Sequence, residues 1–356
     1  MINSQHYTLF DKITVKARLT MPFEHRKNVD LSSQNTLGLP SVCLHRATFE
    51  TANDLQRALE FARHASLPCF VLGGGSNALL PERLAGVVLS SNDETVRIQG
   101  ALVTVGAGAL WDDLVAKTLK AGLFGLENLS SIPGTVGAAP IQNIGAYGVE
   151  LDRFVVSVDA MDLHNAVAVK LKANDCEFSY RDSLFKRQPG RFVVTQMTLE
   201  LKPRFEPILT YQDLQTLPAK ITSSPAGLRQ AIQSIRGKKL PDYRLQGNVG
   251  SFFKNPILAE TEIQALRRDS VISSSAGTAQ GKVSAAALIQ AAALGDLRVG
   301  NAGISPKHHL VIENRGGATL NDIMTLAQLI QEKVQTRFGI DLEIEPQPLT
   351  PLYHAP

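Results

Sequence analysis

The stretch from residue 125 to residue 148 constrains the fold of this 356-residue chain most strongly. It reads GLENLSSIPGTVGAAPIQNIGAYG and contains five glycines, three alanines, two prolines and one charged residue, Glu127. Surface loops usually carry more charge, and buried strands are rich in branched side chains. Glycine and alanine instead let the backbone approach a flat or large neighbour closely. The stretch therefore predicts either a tightly packed structural loop or a neutral surface that binds a heteroaromatic cofactor.

Two further glycine-rich segments follow short apolar runs. The first, VLGGGSN at residues 71–77, offers several backbone N–H groups to one anion, as in phosphate-binding nests, although a simple turn is the alternative. It lacks the Lys-Ser/Thr ending of a P-loop, so NTP hydrolysis is not expected. The second, VGAGALW at residues 105–111, is an incomplete dinucleotide fingerprint because Trp111 occupies the place of the third glycine. A Rossmann site is therefore not predicted.

Composition limits the classes of protein to which the chain can belong. With 36 basic and 33 acidic residues and 44% hydrophobic residues, it is expected to be globular, without a nucleic-acid or anionic-membrane partner. Its length suits two or three domains. The three cysteines are far apart and form no CxxC, which favours a reducing cytoplasm over a disulfide framework or zinc site. No signal peptide or membrane span is expected, and His308-His309 lacks metal-ligand spacing, so no metal is predicted.

Apolar periodicity predicts the regular elements. Helices are expected near 55–62, 111–119, 228–235, 284–294 and 320–337. Strands are expected at 69–72, 86–90, 94–99, 102–105, 153–161, 166–171, 192–201 and 340–345. Prolines cluster between residues 203 and 225, which indicates a domain boundary there.

Polar side chains in three places are candidates for catalytic or substrate-binding roles. Arg181 could bind a carboxylate through its planar fork, or it could form an ion pair with its neighbour Asp182. Ser251 has no GxSxG context, so it is either a turn serine or a proton donor to a carbanion. The acids of segment 340–345 alternate with apolar residues, which predicts a solvated strand face from which one acid could point into a cleft.

In order, these segments resemble the UDP-N-acetylenolpyruvoylglucosamine reductase family from residue 35 to residue 345. The similarity is carried by LGGGSN at 72–77, VGAG at 105–108, GLENLSSIPGTVGAAPIQNIGAYGVE at 125–150, YRDSLFK at 180–186, LTYQDL at 209–214, KLP at 239–241 and GSFFKNP at 250–256. The YRDS and SFFKNP segments distinguish this family from other flavoproteins that share the FAD-binding module. The loop that carries Tyr211 implies the larger subclass, in which this segment covers the substrate.

The resemblance implies an α+β fold. After an N-terminal extension at 1–33, it implies an FAD-binding domain of the vanillyl-alcohol-oxidase (PCMH) type in two subdomains at 34–205. A C-terminal α+β substrate-binding domain is expected at 206–338. A strand and tail at 339–356 would carry the catalytic acid.

The resemblance also implies the ligand contacts. FAD would be bound non-covalently, because the glycine-rich loops contain no His or Cys. The implied FAD contacts are Gly73, Gly74, Gly75, Ser76, Asn77, Ser131, Ile132, Pro133, Gly134, Gly137, Ala138, Gln142, Asn143, Gly145, Ala146 and Tyr147. The implied substrate contacts are Tyr180, Arg181, Tyr211, Lys239 and Asn255, of which Tyr211 and Lys239 would hold the nucleotide diphosphate.

The implied reaction has two halves. NADPH reduces FAD, and the reduced flavin N5 then passes hydride to C3 of the enolpyruvyl ether of a UDP-sugar, giving UDP-N-acetylmuramate for peptidoglycan. Arg181 and Glu345 would stabilise the enolate-like charge, and Ser251 would protonate C2. The enzyme is expected to be a cytoplasmic monomer.

Two departures from the family pattern and two other functions remain open. Ala286-Ala287 stand where the family often has Gly-Trp. The family ending Leu-Glu-Pro-Glu is replaced by Leu-Glu-Ile-Glu-Pro at residues 342–346. An ungapped alignment selects Glu345 as the catalytic acid, whereas aligning the prolines selects Gln347. Glu343 is a further candidate for the catalytic acid. The alternative functions are an FAD oxidase of an alcohol or sugar, and a flavin-binding protein without catalysis.

Overall fold

The computed structural model describes residues 25–272 and 281–352. Most of the expected N-terminal extension and the last four residues of the expected tail lie outside these ranges. Within the described ranges, no helix is both long and apolar enough to cross a lipid bilayer.

The strands are numbered in chain order. They are β1 His25–Asp30, β2 Val42–Phe49, β3 Cys69–Val71, β4 Ala78–Leu79, β5 Arg83–Ser91, β6 Val96–Gln99, β7 Leu102–Gly106, β8 Gly145–Ala146, β9 Val149–Glu150, β10 Val155–Asp162, β11 Val167–Lys172, β12 Phe192–Glu200, β13 Arg298–Val299, β14 Ala302–Ile304, β15 Ile312–Asn314 and β16 Gln347–Pro348.

The helices are numbered in the same way. They are α1 Ala52–His64, α2 Trp111–Lys120, α3 Leu184–Arg187, α4 Gln212–Gln215, α5 Ala219–Thr222, α6 Pro225–Lys239, α7 Glu260–Arg268, α8 Ala285–Ala291 and α9 Leu320–Phe338. Short 3-10 turns include Glu127–Leu129 and Val136–Gln142 in the glycine-rich stretch.

The predicted helices form where the sequence has both an apolar face and a capping residue. In α1, Thr51 and Asp54 form a capping box, while Leu55, Ala58 and Ala62 are buried. Helix α9 begins in the same way at Thr319 and Asp322 and ends at Gly339, which adopts φ 70°. All the helices expected from periodicity are confirmed within a few residues.

Two large sheets form most of the part of the molecule before residue 205. The first has the order β1-β2-β5-β3, in which β2 and β3 both run parallel to β5. Strand β1 lies within the segment expected to be an extension and pairs antiparallel with β2. The second sheet is antiparallel, in the order β11-β10-β12-β7-β6. Together with the packed helices, these sheets give the α+β fold.

The C-terminal part has its own core. Helices α7, α8 and α9 pack on the three-stranded sheet β13-β14-β15 around buried residues that include Phe252 and Phe253. Ala286 and Ala287 pack against this core as partly buried residues. The smaller residues at the departure from the family pattern are therefore part of a packed interface.

The prediction of a strand at 340–345 is wrong. Its apolar residues are buried, with Ile340 4% and Leu342 2% exposed, but the segment has no strand ladder beyond one isolated bridge between Ile344 and Phe253. The ladder begins two residues later, where β16 pairs in parallel with β4, directly after the first glycine segment. The alternating burial of residues 340–345 thus arises from packing on the C-terminal core. The pairing of β16 with β4 then brings the tail back to the N-terminal part of the molecule.

Candidate active site

A cavity of about 670 Å³ lies where the two sheets, helix α6 and the returning tail meet. It is lined by most of the expected cofactor contacts and by all three expected catalytic residues. The expected residues on its lining are Gly73, Gly74, Gly75, Ser76, Asn77, Ser131, Ile132, Pro133, Gly134, Gly137, Ala138, Gln142, Gly145, Arg181, Ser251 and Glu345.

One side, residues 73–77 and 131–145, is called here the neutral wall. Its two loops are in van der Waals contact through their backbones: a Cβ on Gly74 would lie 2.7 Å from the Cα of Gly134. Polar side chains bind across the seam, where Ser76 Oγ donates to the carbonyl of Pro133 at 2.8 Å. Asn77 Nδ2 likewise donates to Gln142 Oε1 at 2.6 Å. The glycines are thus required by the close approach of the two loops.

The neutral wall is also fastened from the C-terminal part. Asp112, in the first turn of α2, accepts hydrogen bonds from the backbone N–H of Ser131 at 2.5 Å and from Arg229 Nη1 of α6 at 2.7 Å. Burial acts to raise the pKa of Asp112, but the hydrogen bonds from Arg229 and Ser131 hold it below its ordinary value. Ser131 itself adopts a left-handed conformation, φ 59°.

Three expected cofactor contacts do not line the cavity: Asn143, Ala146 and Tyr147. Asn143, at φ 46°, is fully buried and donates through Nδ2 to the carbonyl of Ser179 at 3.2 Å, which joins the wall to the segment before Arg181. Tyr147 packs edge-on against Tyr211, with 5.2 Å between ring centroids, and burial raises its pKa to about 12. The side chain of Asn143 shapes the backbone behind the cavity.

A second part of the lining is called the charged wall: it comprises Arg181, Lys186 and Glu345, together with Ser251. Arg181 Nη2 donates to the carbonyl of Gly145 at 2.7 Å, and its Nε lies 2.9 Å from Glu345 Oε1. The latter contact is an ion pair whose angle leaves the buried Nε–H without an aligned hydrogen bond. Arg181 also has φ 54°, an uncommon conformation for a non-glycine residue.

Arg181 does not form the local ion pair that the sequence left open. Asp182 instead pairs with Arg187. The guanidinium of Arg181 is therefore directed at the cavity and at Glu345, 164 positions later in the chain.

Glu345 is the acid that the tail places in the cavity. Its backbone N–H donates to the carbonyl of Phe252 at 2.9 Å, and only 8% of the residue is exposed. Burial raises its pKa, and the cations Arg181 and Lys186 oppose that shift. Glu343, by contrast, is 67% exposed in its side chain and pairs with Lys254 at 2.5 Å. Gln347 lines the cavity but belongs to β16.

Ser251 is held by its neighbours on both sides. Gly250 turns the chain with φ 72°, and Phe252 and Phe253 are 0% and 1% exposed in the C-terminal core. The backbone N–H of Phe252 donates to the carbonyl of Leu310 at 2.7 Å. The two anchored rings thus fix the backbone that presents Ser251 to the cavity.

Two family models match the chain. The FAD binding domain model covers residues 44–171, and the model of the C-terminal domain of UDP-N-acetylenolpyruvoylglucosamine reductase covers residues 241–349. The reductase of Polynucleobacter asymbioticus is 39% identical, over 91% of this chain and 96% of that protein. The reductase of Pseudomonas aeruginosa is also 39% identical, over 92% of this chain and 99% of that protein.

This chain belongs to the UDP-N-acetylenolpyruvoylglucosamine reductase family. The crystal structure of the reductase from Thermus caldophilus superimposes with a TM-score of 0.66 at 26% identity, covering 92% of this chain and 99% of that one. The protein is therefore an FAD-containing oxidoreductase with an FAD-binding domain and a reductase C-terminal domain.

The neutral wall fits the flavin cofactor of this reductase family. A Cβ on Gly73 would lie 2.6 Å from Thr135 Oγ1, and one on Gly137 would lie 2.6 Å from the Cβ of Ala107. Larger residues would push these loops apart and alter the cavity. The wall offers backbone groups and uncharged side chains, which suits a flat ring system and a diphosphate.

Of the five expected substrate contacts, Arg181 lines the cavity, and the other four form two groups outside its lining. Tyr180 accepts a hydrogen bond from the backbone N–H of Asn255 at 3.4 Å, and Asn255 Oδ1 accepts one from Ala285 at the start of α8. Tyr211 is 43% exposed, with Lys239 Nζ 6.0 Å from its ring centroid. Lys239 also forms an ion pair with Asp213.

Sequence reasoning missed several cations near the reductase site. Lys186 and Arg236 line the cavity, and burial lowers the pKa of each. Lys282 Nζ lies 3.6 Å from the ring centroid of Tyr180. Arg236 stands three residues before the KLP motif, and Lys186 ends the YRDSLFK motif, so proximity to those motifs is the signal that could have identified them.

Proposed function

We propose that this protein reduces the enolpyruvyl ether of UDP-N-acetyl-3-O-(1-carboxyvinyl)-glucosamine to UDP-N-acetylmuramate, in the synthesis of peptidoglycan precursors. The observation that carries the proposal is that Arg181, Glu345 and Ser251 line one cavity together with a neutral wall that fits a flavin. The names of the relatives support the same reaction.

Arg181, Glu345 and Ser251 of the charged wall, and the four other expected substrate contacts, have proposed roles. NADPH is the proposed source of the hydride that the bound flavin passes to carbon C3 of the enolpyruvyl group. Arg181 and Glu345 stabilise the negative charge that develops on C2 and the adjacent carboxylate, and Ser251 donates a proton to C2. Tyr180 and Asn255 hold the substrate beside Arg181, while Tyr211 and Lys239 hold the nucleotide diphosphate.

The raised pKa of Glu345 is consistent with this role. In its protonated form, Glu345 can donate a hydrogen bond to a developing enolate without adding a second negative charge. The Arg181 guanidinium beside it supplies the positive charge.

The cofactor is proposed to lie along the neutral wall, with the diphosphate at residues 73–77 and the ring system at residues 131–145. Non-covalent binding is supported by the cysteines, since Cys43, Cys69 and Cys176 are buried and do not line the cavity. Unfolding the protein should release all of its flavin, measured as free colour after the chain is precipitated; flavin retained on the chain would contradict non-covalent binding.

The domain division is proposed at residues 34–205, 206–338 and 339–356, with β1 adding residues 25–30 to the first sheet. We also propose that the enzyme acts as a cytoplasmic monomer. Sedimentation of the purified protein tests the oligomeric state.

One experiment separates the proposed function from its alternatives. The purified holoenzyme is mixed with NADPH without oxygen, and the visible flavin absorbance should bleach. Adding the enolpyruvyl substrate, still without oxygen, should restore the colour. Bleaching by an alcohol or sugar, followed by rapid return in air, would instead indicate an oxidase. Absence of any bleaching by NADPH would favour a flavin-binding protein without catalysis.

A further inference from the structure

Arg46, on strand β2, is a partly buried cation whose hydrogen-bond partners are all uncharged. Its Nε donates to Gln34 Oε1 at 3.2 Å, and its Nη2 donates to Ser90 Oγ at 2.7 Å. Its Nη1 donates to the carbonyls of Ala47 and Val88 at 3.1 and 3.3 Å. In residues 25–272 and 281–352, no carboxylate forms an ion pair with it. Buried arginines usually have an acidic partner, and the described residues supply none here.

The partners of Arg46 hold both ends of the first glycine segment. Ser90 Oγ donates to the carbonyl of Leu72, the residue before Gly73. At the other end, the carbonyl of Gln34 occupies the space beside Gly75, since a Cβ there would lie 2.1 Å from it. Arg46 is therefore connected, through Ser90 and Gln34, to both ends of the first glycine segment.

Arg46 is not part of the cavity lining. It would act on a ligand through the nest and not by direct contact. Burial lowers the pKa of Arg46, and its hydrogen-bond partners are uncharged. A positive charge held by neutral groups in a partly desolvated position has a field that extends to the adjacent surface.

We propose that Arg46 is a positioning residue for the diphosphate of FAD, supplying positive charge from behind the glycine nest. The inference rests on the proposed placement of the cofactor diphosphate at residues 73–77. The nest supplies N–H dipoles, and Arg46 supplies the net charge that the neutral wall lacks. The alternative is that Arg46 only holds strands β2 and β5 together through its neutral hydrogen bonds.

The test compares FAD with riboflavin, which lacks both phosphates. The full-length protein is freed of FAD and titrated with each flavin, using the fluorescence of Trp111, the single tryptophan, which lines the cavity. Arg46→Gln should weaken FAD binding about tenfold and leave riboflavin binding nearly unchanged, because the lost interaction is with charge on the phosphates. Arg46→Lys, which keeps the charge, should preserve most of the preference for FAD.

Two controls make the outcome decisive. Arg83→Gln removes an exposed arginine from the same sheet and should change neither affinity. Ser90→Ala removes the link to Leu72 but keeps the charge, so it should retain the preference for FAD. Equal weakening of both flavins by Arg46→Gln, or unchanged FAD binding, would overturn the inference. If Arg46→Gln fails to fold, the test rests on Arg46→Lys, and loss of its preference for FAD would overturn the inference.

The result also separates this inference from the proposed function. A wild-type protein that binds riboflavin as tightly as FAD would contradict the proposed placement of the diphosphate. A wild-type preference for FAD that Arg46→Gln leaves intact would contradict only the role of Arg46.

Discussion

The two walls of the cavity are built in different ways. The neutral wall consists of backbone from two short continuous segments, and its polar side chains bind one another across the seam, as Ser76 binds Pro133 and Asn77 binds Gln142. The charged wall consists of side chains from distant parts of the chain, brought together by the returning tail. The neutral wall is therefore a surface formed by backbone, whereas the charged wall is a set of side chains that tertiary contacts bring together.

The walls also differ in how far their polar groups are satisfied. On the charged wall, the Nε–H of Arg181 has no aligned hydrogen bond, and burial raises the pKa of Glu345. At a cavity, such groups can be stabilised when a substrate or transition state completes their contacts. The comparison predicts that changes to the charged wall affect one half-reaction, whereas changes to the neutral wall affect cofactor binding and stability.

The largest effect is expected from Ser251→Ala. Reduction of the flavin by NADPH should remain almost intact, since no proton is given to C2 in that step. Reoxidation by the enolpyruvyl substrate should fall by about 10²- to 10⁴-fold, the usual range for losing a general acid. Stopped-flow absorbance measures both steps separately.

Ser251→Cys is the matched variant, because a thiol can also deliver a proton, and it should recover part of the lost rate. Equal slowing of both half-reactions by Ser251→Ala would instead indicate lost packing or cofactor binding.

Arg181→Lys should have the next largest effect. Lysine keeps the charge but loses the fork that binds Gly145 and lies against Glu345. The half-reaction with the enolpyruvyl substrate should slow by about 10²-fold, as for the loss of one preorganised charge partner. Arg187→Lys, at exposed ion pairs with Glu177 and Asp182, is the control and should be close to wild type. A wild-type rate in Arg181→Lys would remove this residue from the proposed mechanism.

A smaller effect is expected on the neutral wall from Gly74→Ala. The new methyl group would lie 2.7 Å from the Cα of Gly134 and force the two loops apart. The variant should lose about 1–3 kcal/mol of stability, as in other overpacked sites, and should bind less FAD. Thermal unfolding and flavin content measure these losses.

Gly237→Ala in α6 is the matched control for Gly74→Ala. A Cβ there meets no atom within 4 Å, so this helical substitution should not lower stability. Equal unfolding temperatures in the two variants would show that the loops do not require close approach.

The smallest effect is expected from Glu127→Gln, behind the neutral wall. Glu127 is 3% exposed; its Oε2 accepts a hydrogen bond from Gly125 at 2.8 Å, and its Oε1 is buried without a partner. Burial raises its pKa above the ordinary 4.5, so the folded state retains the proton to higher pH than the unfolded state. The stabilising contribution of protonated Glu127 is therefore fully present below pH 4.5 and is lost as pH rises through the pKa of Glu127 in the folded state.

Glu127→Gln removes that loss. As pH rises above 4.5, the free energy of unfolding of this variant should increase relative to that of wild type. The expected increase is about 1 kcal/mol, a typical size for one substitution. Denaturant unfolding across this pH range measures the difference, with the exposed Glu94→Gln as control. A gain that grows toward low pH would show that the sign is wrong.

The sequence determined the backbone wall almost completely. Glycine is required wherever two backbones touch, so the segments at 72–77 and 125–148 carry their structural role in their composition. The same is true of the helices, whose capping residues and apolar faces are local in sequence. The motifs around Arg181 and Ser251 likewise located those residues, because each lies in a short segment shared by the family.

Only the tertiary structure decided which groups meet. The acids at 343 and 345 are equivalent in local pattern, but the contacts of the tail with Phe252 and Asn77 bury Glu345 and leave Glu343 exposed. The alternation of apolar and acidic residues at 340–345 correctly indicated that one face is buried, but packing on the core buries that face without a strand ladder. Arg46 lies in an ordinary strand sequence, and its connection through Ser90 to the first glycine segment follows from the parallel pairing of β2 with β5. Close approach and burial between distant segments depend on the whole fold, so no local pattern encodes them.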